Sequence, residues 1–301
     1  MAKLTDTLQQ SITAQAEIVA LRRALHQHPE LSFQEFDTAR TVGERLAQLG
    51  YAVRHGVAST GVVADMGCGN TVALSSELGA LPIAERSALS WASATPGVMH
   101  AFGHDANMAC TIAAAKIIAG RLSSGADGKV RIIMQPGAES VARDGKSGAR
   151  HMIDGGALQG VSAILGLHVD NTLAAGHVGI VMGPSTGTAG GAAEEILYRT
   201  ACDLLGIESV RKVSRRTWCE GFSDYVSAVP GAYIYLGTKR AGAPSGGHSH
   251  TFDIDESALY LGAALLAEAA CNFLAAPPLR ANSCWHDMPQ TICHQHLHYA
   301  C

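Results

Sequence analysis

Aromatic residues are scarce in this chain, at 5% of 301 positions, and charged residues make up only 16%. With 47% hydrophobic content, so little charge excludes a self-repelling, disordered chain and demands a sizeable buried core. No basic run is present and the net charge is −4, so nothing is laid out to track a phosphate backbone. Nucleic acid is therefore not an expected partner. No run of about eighteen consecutive apolar residues occurs, and no membrane association is expected. The eight cysteines include no C-x-x-C pair and are too dispersed for a disulfide scaffold, so reduced thiols are expected. The opening residues Met1–Gln10 carry no apolar leader, which makes the cytoplasm the expected compartment.

What is plentiful is glycine, at 33 residues, together with alanine-rich segments. Tight turns and closely packed helices follow from that composition. Helical periodicity runs from Leu8 to Leu25, and again from about Phe36 to Leu49 before Gly50. Short apolar runs at 51–53, 61–64 and 71–74 read as strands, and helix 108–122 follows. Lys129–Met134 reads as a buried strand, as does Ala163–Leu167, which is expected to end at His168. Further on, helix 192–205, strand 232–236 and helix 257–274 continue the alternation. This pattern predicts an α/β fold with a mixed, mostly parallel sheet flanked by helices. Residues 1–279 are expected to form one domain, and the His/Cys-rich residues 280–301 an irregular tail.

In such sheets, ligands bind at the carboxyl ends of strands. The turn Ser75–Gly79, Glu139 and His168 all fall near expected strand ends, and His104 precedes a helix inside Met99-His100-Ala101-Phe102-Gly103-His104-Asp105. Imidazole and carboxylate side chains suit a divalent ion, so His104, Glu139, His168 and His248 are the candidate ligands. They are far apart in sequence. Each, taken singly, is equally compatible with a structural or solvent-exposed role.

The stretch Leu21–Phe33 (Leu-Arg-Arg-Ala-Leu-His-Gln-His-Pro-Glu-Leu-Ser-Phe), Ala80–Glu85 and Met99–Asp105 together resemble the M20 metallopeptidase family. The similar branch is that of amidohydrolases acting on N-acyl amino acids, such as hippurate and auxin-conjugate hydrolases. Gln135-Pro136, Gly148–Leu158, Gly166–Val169, Pro230-Gly231 and His248–Glu256 extend the resemblance, which covers roughly Ile18 to Leu274. It implies a zinc-exopeptidase-like catalytic domain, a small-molecule amide substrate, and two metal ions (Zn, Mn or Co) bridged by a water. It places His104, Glu139, His168 and His248 on ligand positions.

The departures from that pattern are specific. Where the family has Asp-Met-Asp-Ala-Leu-Pro, this chain has Glu77-Leu78-Gly79-Ala80-Leu81-Pro82, so a supporting acid is replaced by Gly79. A ligand cysteine is replaced by Phe102, the general-base glutamate by Ala138, and a histidine by Asn107. The lid or dimerisation domain is absent, and the linker 183–191 stands in its place, which leaves oligomeric state open. Glu77, Asp105 and Glu139 are the acids available as substitute catalytic groups, with one or two ions bound. Two alternatives accompany hydrolysis. One is a degenerate homologue acting as a binding or interaction module, and the other is a different reaction on a small metabolite.

Overall fold

Apolar alternation in the middle of the chain produces a sheet that is buried on both faces. The computed structural model describes residues 2–181, 190–213, 220–242 and 246–276. Strands β1 (Ala52–Val57), β2 (Gly61–Cys68), β3 (Thr71–Glu77), β4 (Gly128–Gln135), β5 (Val161–Ala174), β6 (Val178–Val181), β7 (Val210–Val213) and β8 (Gly231–Lys239) form one sheet. Their order is β1-β2-β4-β3-β5-β8-β6-β7. The centre, β4-β3-β5-β8, is parallel throughout, while β1, β2 and β6 run antiparallel to their inner neighbours. The expected mixed, mostly parallel sheet is what forms.

The helices are α1 (Ala2–Gln27), α2 (Phe36–Gln48), α3 (His104–Ser123), α4 (Gly148–Asp154), α5 (Gly190–Leu205), α6 (Glu220–Ala228) and α7 (Leu259–Ala275). In β4, Val130, Ile132 and Met134 enter one apolar core and Ile133 the other; in β3, Val72 and Leu74 oppose Ala73 in the same way. The period of two is the pleat itself. The larger core is built from α1, α2, α3, α5 and α7, where Ile18, Leu21 and Leu25 of α1 recur at helical spacing. Alanines 113, 114 and 115 of α3 are buried there. Their small side chains let α1, α3 and α7 pack closely. The smaller core lies under α4 and α6, with Met152 and Tyr225.

Two expectations need correction, and three short segments were not foreseen. Strand β5 does not end at His168 but continues to Ala174, because His168, Val169 and Asp170 pair with Tyr235, Leu236 and Gly237 of β8. Helix α3 starts at His104, four residues before its apolar run begins. The segments β7, α4 and α6 were too short to announce themselves by periodicity. Linker residues 183–189 and the tail 280–301 lie outside the described residues. The segment Glu256–Ala275 is long and apolar enough to cross a membrane, but 72% of it is buried inside the fold, as suits a core helix. Among the described residues, Cys68, Cys110, Cys202 and Cys271 form no disulfide.

Candidate active site

Because the central strands run parallel, their carboxyl ends share one edge of the sheet. Glu77 closes β3 there, Gln135 closes β4, and the loop 136–140 departs from the same edge. Together with His104, His168 and His248 they line a cleft of about 920 Å³. Its other wall is α6, through Phe222, Ser223 and Asp224, with Ser147 at the start of α4.

The approach to the cleft depends on Gly103, the residue before α3. Its φ of 94° is left-handed, and a Cβ there would stand 2.1 Å from Val169 Cγ2. Only glycine fits both conditions. The turn delivers His104, whose Nδ1 donates to the Gly79 carbonyl at 2.8 Å. A carbonyl only accepts, so Nδ1 carries the proton and Nε2 presents its lone pair. That Nε2 lies 3.7 Å from Glu139 Oε1. His168 is oriented similarly, its Nδ1 bonded to the Val169 carbonyl at 2.7 Å. The loop carrying Glu139 is pinned from below. Glu35 accepts from Gly137 N at 2.8 Å, and Ser32 Oγ accepts from Glu139 N at 3.2 Å.

Glu77 is enclosed in protein, and burial pushes its carboxyl pKa up against the opposing pull of His104 and of its bond to Asn107. Asn107, standing where a histidine was expected, ties two strands together. Its Nδ2 donates to Glu77 Oε2 at 3.4 Å, and its Oδ1 accepts from Val169 N at 3.0 Å. Gly79 faces Glu35 and Ser32, which would sit 3.1 and 3.2 Å from any Cβ. An acid there would meet the buried Glu35 carboxylate at once. Ala138 presents a methyl group to the cleft.

Phe102 occupies the middle of the imidazoles. Its ring centroid is 4.5 Å from that of His168, 4.8 Å from His248 and 6.0 Å from His104. The backbone holds this cluster together, since His248 N donates to the Ala101 carbonyl at 2.8 Å. His248 itself adopts a left-handed φ of 61°, a sparsely populated conformation for a residue with a Cβ. All four candidate ligands therefore line one cleft, yet they do not converge. Among the described residues, no three His, Cys, Asp or Glu side chains gather closely enough to hold a metal ion. The present arrangement does not fit a dinuclear centre.

Asp105, one residue from His104, turns the other way and does not line the cleft. It is fully buried, accepting from Arg22 Nε at 2.8 Å and pairing with His26 Nδ1 at 2.7 Å. Burial alone would raise its pKa, but Arg22 and His26 hold it well below the usual carboxylate range. For His26, burial would lower the pKa; Asp105, with Glu85 on the other ring nitrogen, instead raises it to about 9. The guanidinium of Arg22 is also 3.1 Å from Glu256, which pairs with Arg23 as well. His100 lies in the same layer, and neither ring nitrogen has a hydrogen-bond partner. Burial drives its pKa down to about 3 and keeps it neutral.

The sequence did not single out Glu35, Ser32, Arg22 or Asp224. Asp224 accepts from Ser147 Oγ at 2.5 Å on the far wall of the cleft. Nothing in one sequence marks residues whose partners lie 77 or more positions away.

The comparisons with known proteins agree with this architecture. A model described as Peptidase family M20/M25/M40 matches residues 73–272. The chain is 38% identical over 175 residues to N-acetyl-L-cysteine deacetylase of Bacillus subtilis, a match covering 57% of this chain and 41% of that protein. It is 37% identical over 175 residues to IAA-amino acid hydrolase ILR1-like 4 of Arabidopsis thaliana, covering 58% of this chain and 38% of that protein. The chain thus spans about two fifths of the length of these curated relatives. In fold it is similar to the Bacillus subtilis YXEP protein, described as a dinuclear metal-binding peptidase of the M20 family. The TM-score is 0.74 at 22% identity, over 87% of this chain and 99% of that one.

Proposed function

Because the chain belongs to peptidase family M20/M25/M40, we propose that it hydrolyses the amide bond of a small N-acyl amino acid or a related metabolite, using a divalent metal ion. The single observation that carries this is the 37–38% identity to enzymes named for deacetylating or hydrolysing acyl amino acids. That identity accompanies a cleft that keeps His104, Glu139, His168 and His248 on its walls.

The chain's own residues can be assigned parts without a step through the metal. Among the described residues lining the cleft there is no Lys or Arg. No cationic side chain among them is therefore in place to meet the carboxylate of an acyl amino acid. His104, held by the Gly79 carbonyl, keeps an accepting Nε2 toward Glu139. Glu77, a carboxyl on the cleft wall whose pKa burial raises, is the group placed to exchange a proton with a departing amine. Ala138 has no proton to move, and a missing general base costs ~10²–10⁴ in rate. Slow turnover is expected for that reason.

The test is hydrolysis of a panel of N-acetyl, N-benzoyl and indole-acetyl amino acids by the full chain with Zn²⁺, Mn²⁺ or Co²⁺ added. Turnover abolished by His104→Ala and His168→Ala supports the proposal. No turnover of any member by the metal-loaded protein overturns it, and would leave the binding-module alternative that Gly79, Phe102 and Ala138 motivate. The activities of the relatives favour hydrolysis over that alternative.

A further inference from the structure

A benzene ring offers no lone pair to a metal ion, and here it is packed into the space between imidazoles. We infer that the centre of this chain is not dinuclear. It takes at most one divalent ion, and Phe102, accommodated by Gly247, sets that limit. The inference shares with the proposed function only the premise that the cleft meets divalent ions.

Three observations carry it. First, the Phe102 centroid stands 4.5 Å from His168 and 4.8 Å from His248, which is ring-to-ring contact with both. An ion on either imidazole from that side needs its nucleus about 2.0–2.1 Å from the ring nitrogen and further donors around it. A phenyl ring packed against both imidazoles takes up space on that side and supplies no donor. Second, the chain has made room for the ring. A Cβ on Gly247 would lie 2.2 Å from Phe102 Cδ2 and 2.5 Å from Cε2. Gly247 is absent from the residues with left-handed φ, so the obstacle to a side chain there is the ring and not the backbone. Third, the His104 and His168 rings stand with centroids 5.5 Å apart. Two imidazoles on one tetrahedral zinc place their centroids roughly 5 Å apart. That spacing leaves room for one shared ion, and because no three donors gather anywhere among the described residues, none are in place to hold a second.

The test counts metal in the full chain after equilibration with Zn²⁺ or Mn²⁺ and removal of loose ions. Residues 284–301 contain further His and Cys, so ions in the cleft are counted as the difference from the His104→Ala/His168→Ala double variant. The expected difference is zero or one ion per chain, rising by one when Phe102→Cys replaces the ring with a smaller thiolate donor. A difference of two in the unmodified protein overturns the inference. No gain in Phe102→Cys, with its circular dichroism unchanged, overturns the role of Phe102. A second measurement isolates the packing: Gly247→Ala should lower the melting temperature in the unmodified protein and far less in a Phe102→Ala background. An equal drop in both would rule out the matched pair. Hydrolysis is read separately, so a protein that binds one ion and cleaves nothing defeats the proposed activity and leaves this inference standing.

Discussion

His104 and Asp105 are neighbours in sequence and belong to opposite kinds of environment. Behind the start of α3, Asp105 sits in a closed set of partners: Arg22, His26 and, through them, Glu85 and Glu256. In front of it, His104 faces a wide cleft where the groups expected at Gly79, Phe102 and Ala138 have been replaced by ones that donate nothing. The rear of the helix is over-determined and the front is depleted. An unpaired charge inside protein is costly whatever the protein does, so the anchor must stay whole for the chain to fold. A cleft open to water imposes no such penalty, and its chemistry can change while the scaffold stands.

The sharpest way to break this contrast is Asp105→Ala. It removes the fully buried partner of Arg22, leaving only Glu256, and should cost about 3–5 kcal/mol in chemical denaturation. A loss under about 1 kcal/mol would mean the anchor is not what holds α1 to α3. Next in size is Ala138→Glu, which returns a carboxylate to the cleft wall. Since an absent base costs ~10²–10⁴, turnover of acyl amino acids should rise at least tenfold, with little change in stability. Unchanged turnover would show that the front is limited by something other than the base. Gly103→Ala tests the joint between the two regions. Its left-handed φ and the 2.1 Å approach to Val169 predict a loss of about 1–3 kcal/mol, together with impaired metal uptake at His104.

The smallest effect is a pH dependence. His26 has its pKa raised from 6.5 to about 9 in the folded protein, so its charge stabilises the fold fully below pH 6.5. That contribution fades as pH rises through 9. The melting temperature should therefore fall between pH 7 and pH 10, and fall less steeply in His26→Gln. Parallel curves for the two proteins would remove His26 from the anchor's electrostatics.

Much of this was legible from residues alone, in proportion to how local the cause was. The period of α2 and the apolar runs of β3 and β4 came within a few residues of their observed bounds, and α1 was placed although it begins six residues before Leu8, because pleat and helix impose their period on each segment separately. The ordered motifs from Leu21 to Glu256 pointed to the family that the model match over residues 73–272 supports. The place of His168 was misjudged because a strand's end depends on its neighbour; Tyr235 and Leu236 of β8 extend β5 past it. Asp105 read as an available acid because nothing local reveals Arg22, which is 83 positions away.

The amino-acid sequence by itself determined the alternation of elements, the two-faced sheet and the set of side chains that can do chemistry. Those follow from short-range sterics and from the pattern of apolar residues, which are properties of contiguous segments. Only the tertiary structure decided which way each of those side chains looks. It sent His104 into the cleft and Asp105 into the core, and it wedged Phe102 among the imidazoles against Gly247. Orientation of that kind depends on what other parts of the chain bring to the same point in space, and no local pattern carries it.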